Sequence, residues 1–109
     1  MQEIIEIIRK FNADRDWEQF HTPSNLAKSL VIEAGELLEL FQWSEEVKSL
    51  DDLKDELADV LSYTLMIADH YNLDISEILK NKIAKNAKKY PIEKARGKSH
   101  KYHEYKKDK

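Results

Sequence analysis

A chain of 109 residues with a net charge of −3 and no cysteine has room for one hydrophobic core and no means of building a disulfide, a thiolate metal site or a cysteine nucleophile. Residues 1–90 hold 11 Lys/Arg against 18 Asp/Glu, a balance of −7, while residues 91–109 hold 7 against 3, a balance of +4. The acidic body argues against a nucleic-acid partner, which needs a basic face. No apolar run approaches the roughly 18 residues of a membrane span. The charged, amphipathic Met1–Phe11 segment has no small-residue cleavage site, so a cytoplasmic location is expected.

With two glycines and two prolines and long apolar patterns of period 3.6, the chain reads as all-α, a four-helix bundle-like arrangement without strands in one domain over 1–109. A first helix is expected over 2–13, with Ile4, Ile7, Ile8 and Phe11 on one face. A polar and aromatic connection, ADRDWEQFH, follows. Thr22 reads as the N-cap and Pro23 as the first residue of a second helix, 23–43. Ser49 and Asp52 resemble a capping box opening a third helix, 50–71. Asp74 and Glu77 form a similar pair before a fourth, 75–89. That helix stops at Tyr90-Pro91 because the residue before proline disfavours helix. A basic tail, 91–109, completes the chain.

The second helix holds the chemistry. At about 100° per residue from Leu26, an apolar arc of roughly 140° contains Leu26, Ala27, Leu30, Val31, Ala34, Leu37, Leu38 and Phe41. Glu33 falls about 20° and Glu36 about 80° beyond one edge of that arc. The third helix repeats the pattern, with Glu56 and Asp59 on the margin of a stripe containing Leu53, Leu57, Val60, Leu61, Thr64, Leu65, Ile67 and Ala68. If the two helices pack as antiparallel neighbours, four carboxylates converge across the groove. Such a cluster repels itself unless cations neutralise it, and all-oxygen ligation suits Mg2+, with Mn2+ as a second choice. A di-iron bundle would want a Glu-x-x-His pair on each of two helices, and neither acidic pair here supplies the histidine.

The run Glu33-x-x-Glu36, then Glu56-x-x-Asp59, resembles the signature of the MazG-like all-α nucleotide pyrophosphohydrolases. The wider stretches RDWEQFH at 15–21, ELFQW at 39–43, ELADVLSY at 56–63 and KKYP at 88–91 resemble the dCTP pyrophosphatase branch of that family. The resemblance implies Mg2+-dependent hydrolysis of a nucleoside triphosphate, dCTP or a modified dCTP, to the monophosphate and pyrophosphate, as nucleotide-pool house-cleaning. It implies Glu33, Glu36, Glu56 and Asp59 as metal ligands and Trp17 and Trp43 beside the base. His21, Tyr63, Asn86 and basic residues from Lys82 on, among them Lys89 and Arg96, would hold base, sugar or phosphates. It further implies a homodimer or homotetramer with sites at subunit borders. Many members carry an acid just before the first pair, where this chain has Ile32. That residue lies off the apolar arc and is expected at a subunit interface.

Glu36, further from the apolar arc than Glu33, is the expected water-orienting carboxylate, with Glu33 beside it as the second catalytic acid. Arg96, Lys98 and Lys101 are expected to close over phosphates. Two other readings fit the same residues: a non-catalytic helical module whose acidic groove takes a basic partner, and a hydrolase of another nucleotide such as dUTP or an alarmone.

Overall fold

Helix propensity and caps set the element order seen in a computed structural model, which describes residues 1–98. The expectation for Lys101 therefore lies outside the described residues. Helix α1 spans Gln2–Asp14, a short 3-10 turn Glu18–Phe20, α2 Pro23–Glu39, α3 Leu50–His70, α4 Ile75–Lys89 and α5 Ile92–Ala95. No strand occurs among the described residues, so the all-α expectation holds. Helix α5 is an addition to the four expected helices: Pro91, at its N-cap with φ −58°, lets one further turn form inside the segment read as tail.

The expected caps are present. Thr22 Oγ1 accepts the Asn25 N–H at 3.2 Å ahead of Pro23, and Ser49 Oγ accepts the Asp52 N–H at 3.2 Å. The expected end of α2 is not: the helix stops at Glu39 rather than Trp43. The N–H groups of Leu40, Phe41 and Gln42 turn to the carbonyls three residues back, at 3.2, 3.0 and 3.2 Å. That tightens the chain into 3-10-type turns, which end the α-helix. Ser44 Oγ then takes the Glu46 N–H at 3.2 Å, a local bond that competes with helix continuation.

Helices α1 and α3 end alike. The Asp16 N–H reaches Ala13 O and the Trp17 N–H reaches Asn12 O, at 3.1 and 3.0 Å, with Asp16 left-handed at φ 54°. After α3, the Asn72 and Leu73 N–H groups reach Asp69 O and Ala68 O, with Asn72 at φ 55°. Both are Schellman endings with Asp or Asn where glycine is commonest. In the first, the hydrophobic contact that accompanies the motif is Trp17 on Phe11, edge to face at 5.7 Å between ring centroids.

Met1–Asp74 forms one compact unit and the chain from Ile75 a second. Within the first, α3 is flanked by α2 and α1. Its core is small: Leu26 and Leu65, each 2% exposed, with Ile5 and Ala68. The inward line of α1 is buried Ile5, half-buried Ile8 and buried Asn12; of the expected Ile4, Ile7, Ile8 and Phe11, only Ile8 lies on it. That face goes with an ion pair: Arg9 donates two hydrogen bonds to Asp69 on α3, one of them 2.8 Å long.

The inner face of α2 is also turned from the expected arc. Pro23, Ser29, Leu30, Glu33, Leu37 and Leu40, all within about 60° of Leu26 on the helical wheel, are the half-buried residues. Ala27, Val31, Ala34 and Leu38, on the far part of the arc, are exposed, Val31 and Leu38 at 70% each. Leu57 and Leu61 on α3 are likewise half exposed. Three helices in one unit cannot cover an apolar stripe this wide. In the second unit, α4 buries Ile75 and closes with the Tyr90 N–H on Asn86 O at 2.8 Å. Among the described residues no helix is long and apolar enough to cross a membrane.

Candidate functional site

Because the inner face of α2 is centred on Leu26, Glu33 lies within the α2–α3 contact and not beside it. Carboxylate oxygens of Glu33, Glu56 and Asp59 all lie within 4.8 Å of one another. Leu26 shares a hollow with Met66 further along α3, so the helices run antiparallel, as their short connection requires. Glu36, one turn beyond Glu33, lies against the Glu33 carboxylate, is exposed and stands outside the close trio.

The electrostatic consequence falls mainly on Glu33, whose pKa is pushed up to about 7. Its hydrogen bond with Glu36 is the largest cause, followed by burial and then by the charges of Glu36, Asp59 and Glu56. Glu56 is also raised, first by burial and then by the charge of Glu36. Glu33 Oε2 and Glu56 Oε2 are both buried without a hydrogen-bond donor. Two orphaned anionic oxygens facing a third carboxylate form the donor set of a hard divalent cation, and no imidazole is among them. The residues present therefore fit such an ion.

Next to the trio lies a cavity of about 400 Å3 whose walls come from α1, the 3-10 turn region and α3. Trp17, His21 and Tyr63 line it together, and so does Asp59. Trp17 is held by its backbone bond to Asn12 and packs between Phe11 and the His21 ring, the latter edge to face at 6.5 Å. Tyr63 follows Asp59 by one turn of α3. Asp59 is thus shared by the acidic trio and the cavity.

Trp43 is not brought to that cavity within the chain. It is 87% exposed in the connection after α2, where it lines a separate hollow of about 240 Å3 with Leu40, Val47 and Asp52. Lys82, Asn86 and Lys89 lie on α4 and Arg96 just after α5, all in the second unit; Asn86 is half-buried and the three cations are exposed. Ile32 is 62% exposed on the outer side of α2.

Asn12, Ser62 and Met66 also line the cavity and were missed in the sequence. Ser62 and Met66 were findable, since they follow Asp59 at i+3 and i+7 on one face of α3. Asn12 interrupts the line Ile5–Ile8–Asn12, and only the rotation of α1 shows it to be internal.

An antiparallel helical hairpin that buries clustered carboxylates beside an aromatic cavity defines a class of all-α acidic-site proteins. The model of the MazG-like family matches residues 28–105, and the chain belongs to that family. It is 38% identical to dCTP pyrophosphatase 1 of Mus musculus over 111 residues, 94% of this chain and 65% of the relative. It is likewise 38% identical to dCTP pyrophosphatase 1 of Homo sapiens over 113 residues, 95% of this chain and 66% of that protein. The chain thus spans just under two thirds of these relatives' length. A crystal structure of a pyrophosphatase from Archaeoglobus fulgidus superposes with a TM-score of 0.78 at 39% identity, covering 84% of this chain and 92% of that one.

Proposed function

We propose that the protein is a Mg2+-dependent nucleoside triphosphate pyrophosphohydrolase that converts dCTP or a modified dCTP to the monophosphate and pyrophosphate. The observation that carries this reading is the position of Asp59, common to the carboxylate trio and to the aromatic cavity. A nucleotide whose base lies in the cavity would have its phosphates at the acidic groups, where only a cation reconciles the two sets of negative charge. The names of the relatives, dCTP pyrophosphatase 1, support the substrate class.

Glu33, Glu56 and Asp59 would hold the ion, with Glu36 completing the set. A bound Mg2+ would neutralise phosphate charge and act as a Lewis acid at the α-phosphorus. Glu36 is exposed and outside the close trio, so it retains an oxygen with which to orient an attacking water and accept its proton. Trp17 would stack on the base, with His21 and Tyr63 fixing base and sugar. Lys82, Asn86, Lys89 and Arg96 are proposed phosphate contacts.

The uncovered stripe of Val31, Leu38, Leu57 and Leu61 supports a homo-oligomer, dimer or tetramer, in which a second copy covers it and Ile32. Trp43, outside the cavity of its own chain, would then close a cavity from the neighbouring copy. The test is a pyrophosphate-release panel over all NTPs and dNTPs, including 5-modified cytidines, with and without Mg2+. Release confined to cytidine deoxynucleotides and dependent on the ion is expected. Selective turnover of dUTP or an alarmone would move the substrate, and no release with any nucleotide would leave the acidic groove as a binding surface for a basic partner.

A further inference from the structure

Asn12 is the one buried polar side chain among the described residues, 6% exposed, and it lies in the wall of the 400 Å3 cavity. A buried amide ordinarily satisfies its groups, because an unpaired one keeps the cost of desolvation. Here the amide's one side-chain hydrogen bond among the described residues is the long contact that Nδ2 donates to Met66 Sδ, 3.6 Å. A thioether sulfur only accepts. Met66 therefore engages the NH2 side of the amide, and Oδ1 is left as an acceptor without a hydrogen bond among the described residues, on a side chain that lines both this cavity and the neighbouring hollow of about 320 Å3.

We infer that Asn12 is a base-selecting residue, its Oδ1 accepting a hydrogen bond from the exocyclic amino group of a cytosine-type base. The inference rests on the proposed nucleotide activity and deepens it. A pyrimidine with an amino group at C4 offers an N–H to Oδ1, whereas uracil or thymine presents a carbonyl oxygen there, so two acceptors would face each other. Met66 acts as the positioning residue: with the sulfur gone, the amide can turn and present its NH2 to an O4 instead. Asn12 also carries the backbone carbonyl that accepts the Trp17 N–H at 3.0 Å. The residue that reads the base edge thus sits at the root of the aromatic proposed to stack on its face.

The test compares kcat/KM for dCTP and dUTP, with saturating Mg2+, in the full chain and three variants. The ratio of the two substrates is the readout because a general loss of folding or metal affinity lowers both alike. Asn12→Leu, nearly isosteric and without a polar group, is expected to lower the dCTP/dUTP ratio about tenfold. Asn12→Asp, which keeps an acceptor oxygen in place, is expected to hold the ratio within about threefold of the parent. Met66→Leu, a volume-conserving change, is expected to lower the ratio by raising dUTP turnover. Equal loss for both substrates in Asn12→Leu, or a ratio that falls as far in Asn12→Asp, overturns the assignment while leaving the proposed activity standing. A parent protein that releases no pyrophosphate from either nucleotide overturns both.

Discussion

Glu33 and Glu56 each bury one carboxylate oxygen, Oε2, between α2 and α3, and neither oxygen meets a hydrogen-bond donor. Two anions in that position destabilise the fold at neutral pH unless something positive joins them. The pair marks where the chain gives up stability at the proposed cation site.

The pH dependence of the metal-free protein follows. Glu33 has a folded pKa of about 7, above the roughly 4.3 of an unfolded glutamate. Between those values the folded state binds the extra proton, so stability is greatest below the unfolded value and is lost as pH rises to about 7. Thermal melts in a chelator should therefore show a lower Tm at pH 8 than at pH 5. Added Mg2+ should restore much of the loss at pH 8, and Glu33→Gln should flatten the profile. A Tm that rises from pH 5 to pH 8 in the parent would contradict the electrostatics of the site.

The Arg9–Asp69 pair works in the opposite sense. The Arg9 guanidinium, through its hydrogen bonds and then its charge, holds the Asp69 carboxyl below the usual carboxylate range. Its contribution is present above the unfolded pKa and disappears as pH falls through the folded value. Arg9 is half exposed, so solvent screening should keep the coupling small but measurable. A double-mutant cycle of Arg9→Met and Asp69→Asn in urea measures it directly. Zero coupling would mean that the pair does not hold α1 against α3.

Much of the fold was legible because its signals are local. Thr22-Pro23 and the Ser49–Asp52 spacing are cap chemistry that acts within one turn, and both caps form as read. The end of α2 was misread because the pattern ELFQW stays apolar enough to continue a helix, while Ser44 and the three-residue turns that end it leave little trace in periodicity. The faces of α1 and α2 were misread for a different reason. A helical wheel finds an apolar arc, but not which part of it meets the same chain. In α2 one half of the arc faces α3, carrying Glu33 inward with it, and the other half, at Val31 and Leu38, faces outward. The four carboxylates were legible from spacing; the closeness of three of them, and the part of Asp59 in the cavity, depended on how α2 and α3 are rotated.

That outward half leads to a prediction about assembly. Val31→Glu or Leu38→Glu places a charge on the uncovered stripe. Under the proposed oligomer each should shift the protein toward monomer in light scattering and lower turnover. A parent protein that is monomeric at micromolar concentration would remove the role proposed for Trp43.

Asp16 tests the link from backbone to cavity. Its left-handed conformation strains any residue with a branched β-carbon, so Asp16→Val should cost about 1–2 kcal/mol and raise KM by disturbing Trp17. Asp16→Gly adopts the same backbone without strain and should keep KM near the parent value. Equal KM for the two variants would separate the position of Trp17 from the helix ending that holds it.

The central claim, that the α2–α3 carboxylates hold a cation for attack at the α-phosphorus, is tested most directly by 31P NMR of dCTP hydrolysis in 18O-labelled water. The expected result is dCMP carrying the label and unlabelled pyrophosphate, formed only with Mg2+ and abolished by Glu56→Gln. Label in the pyrophosphate, formation of dCDP and orthophosphate, or undiminished turnover in a chelator would contradict it.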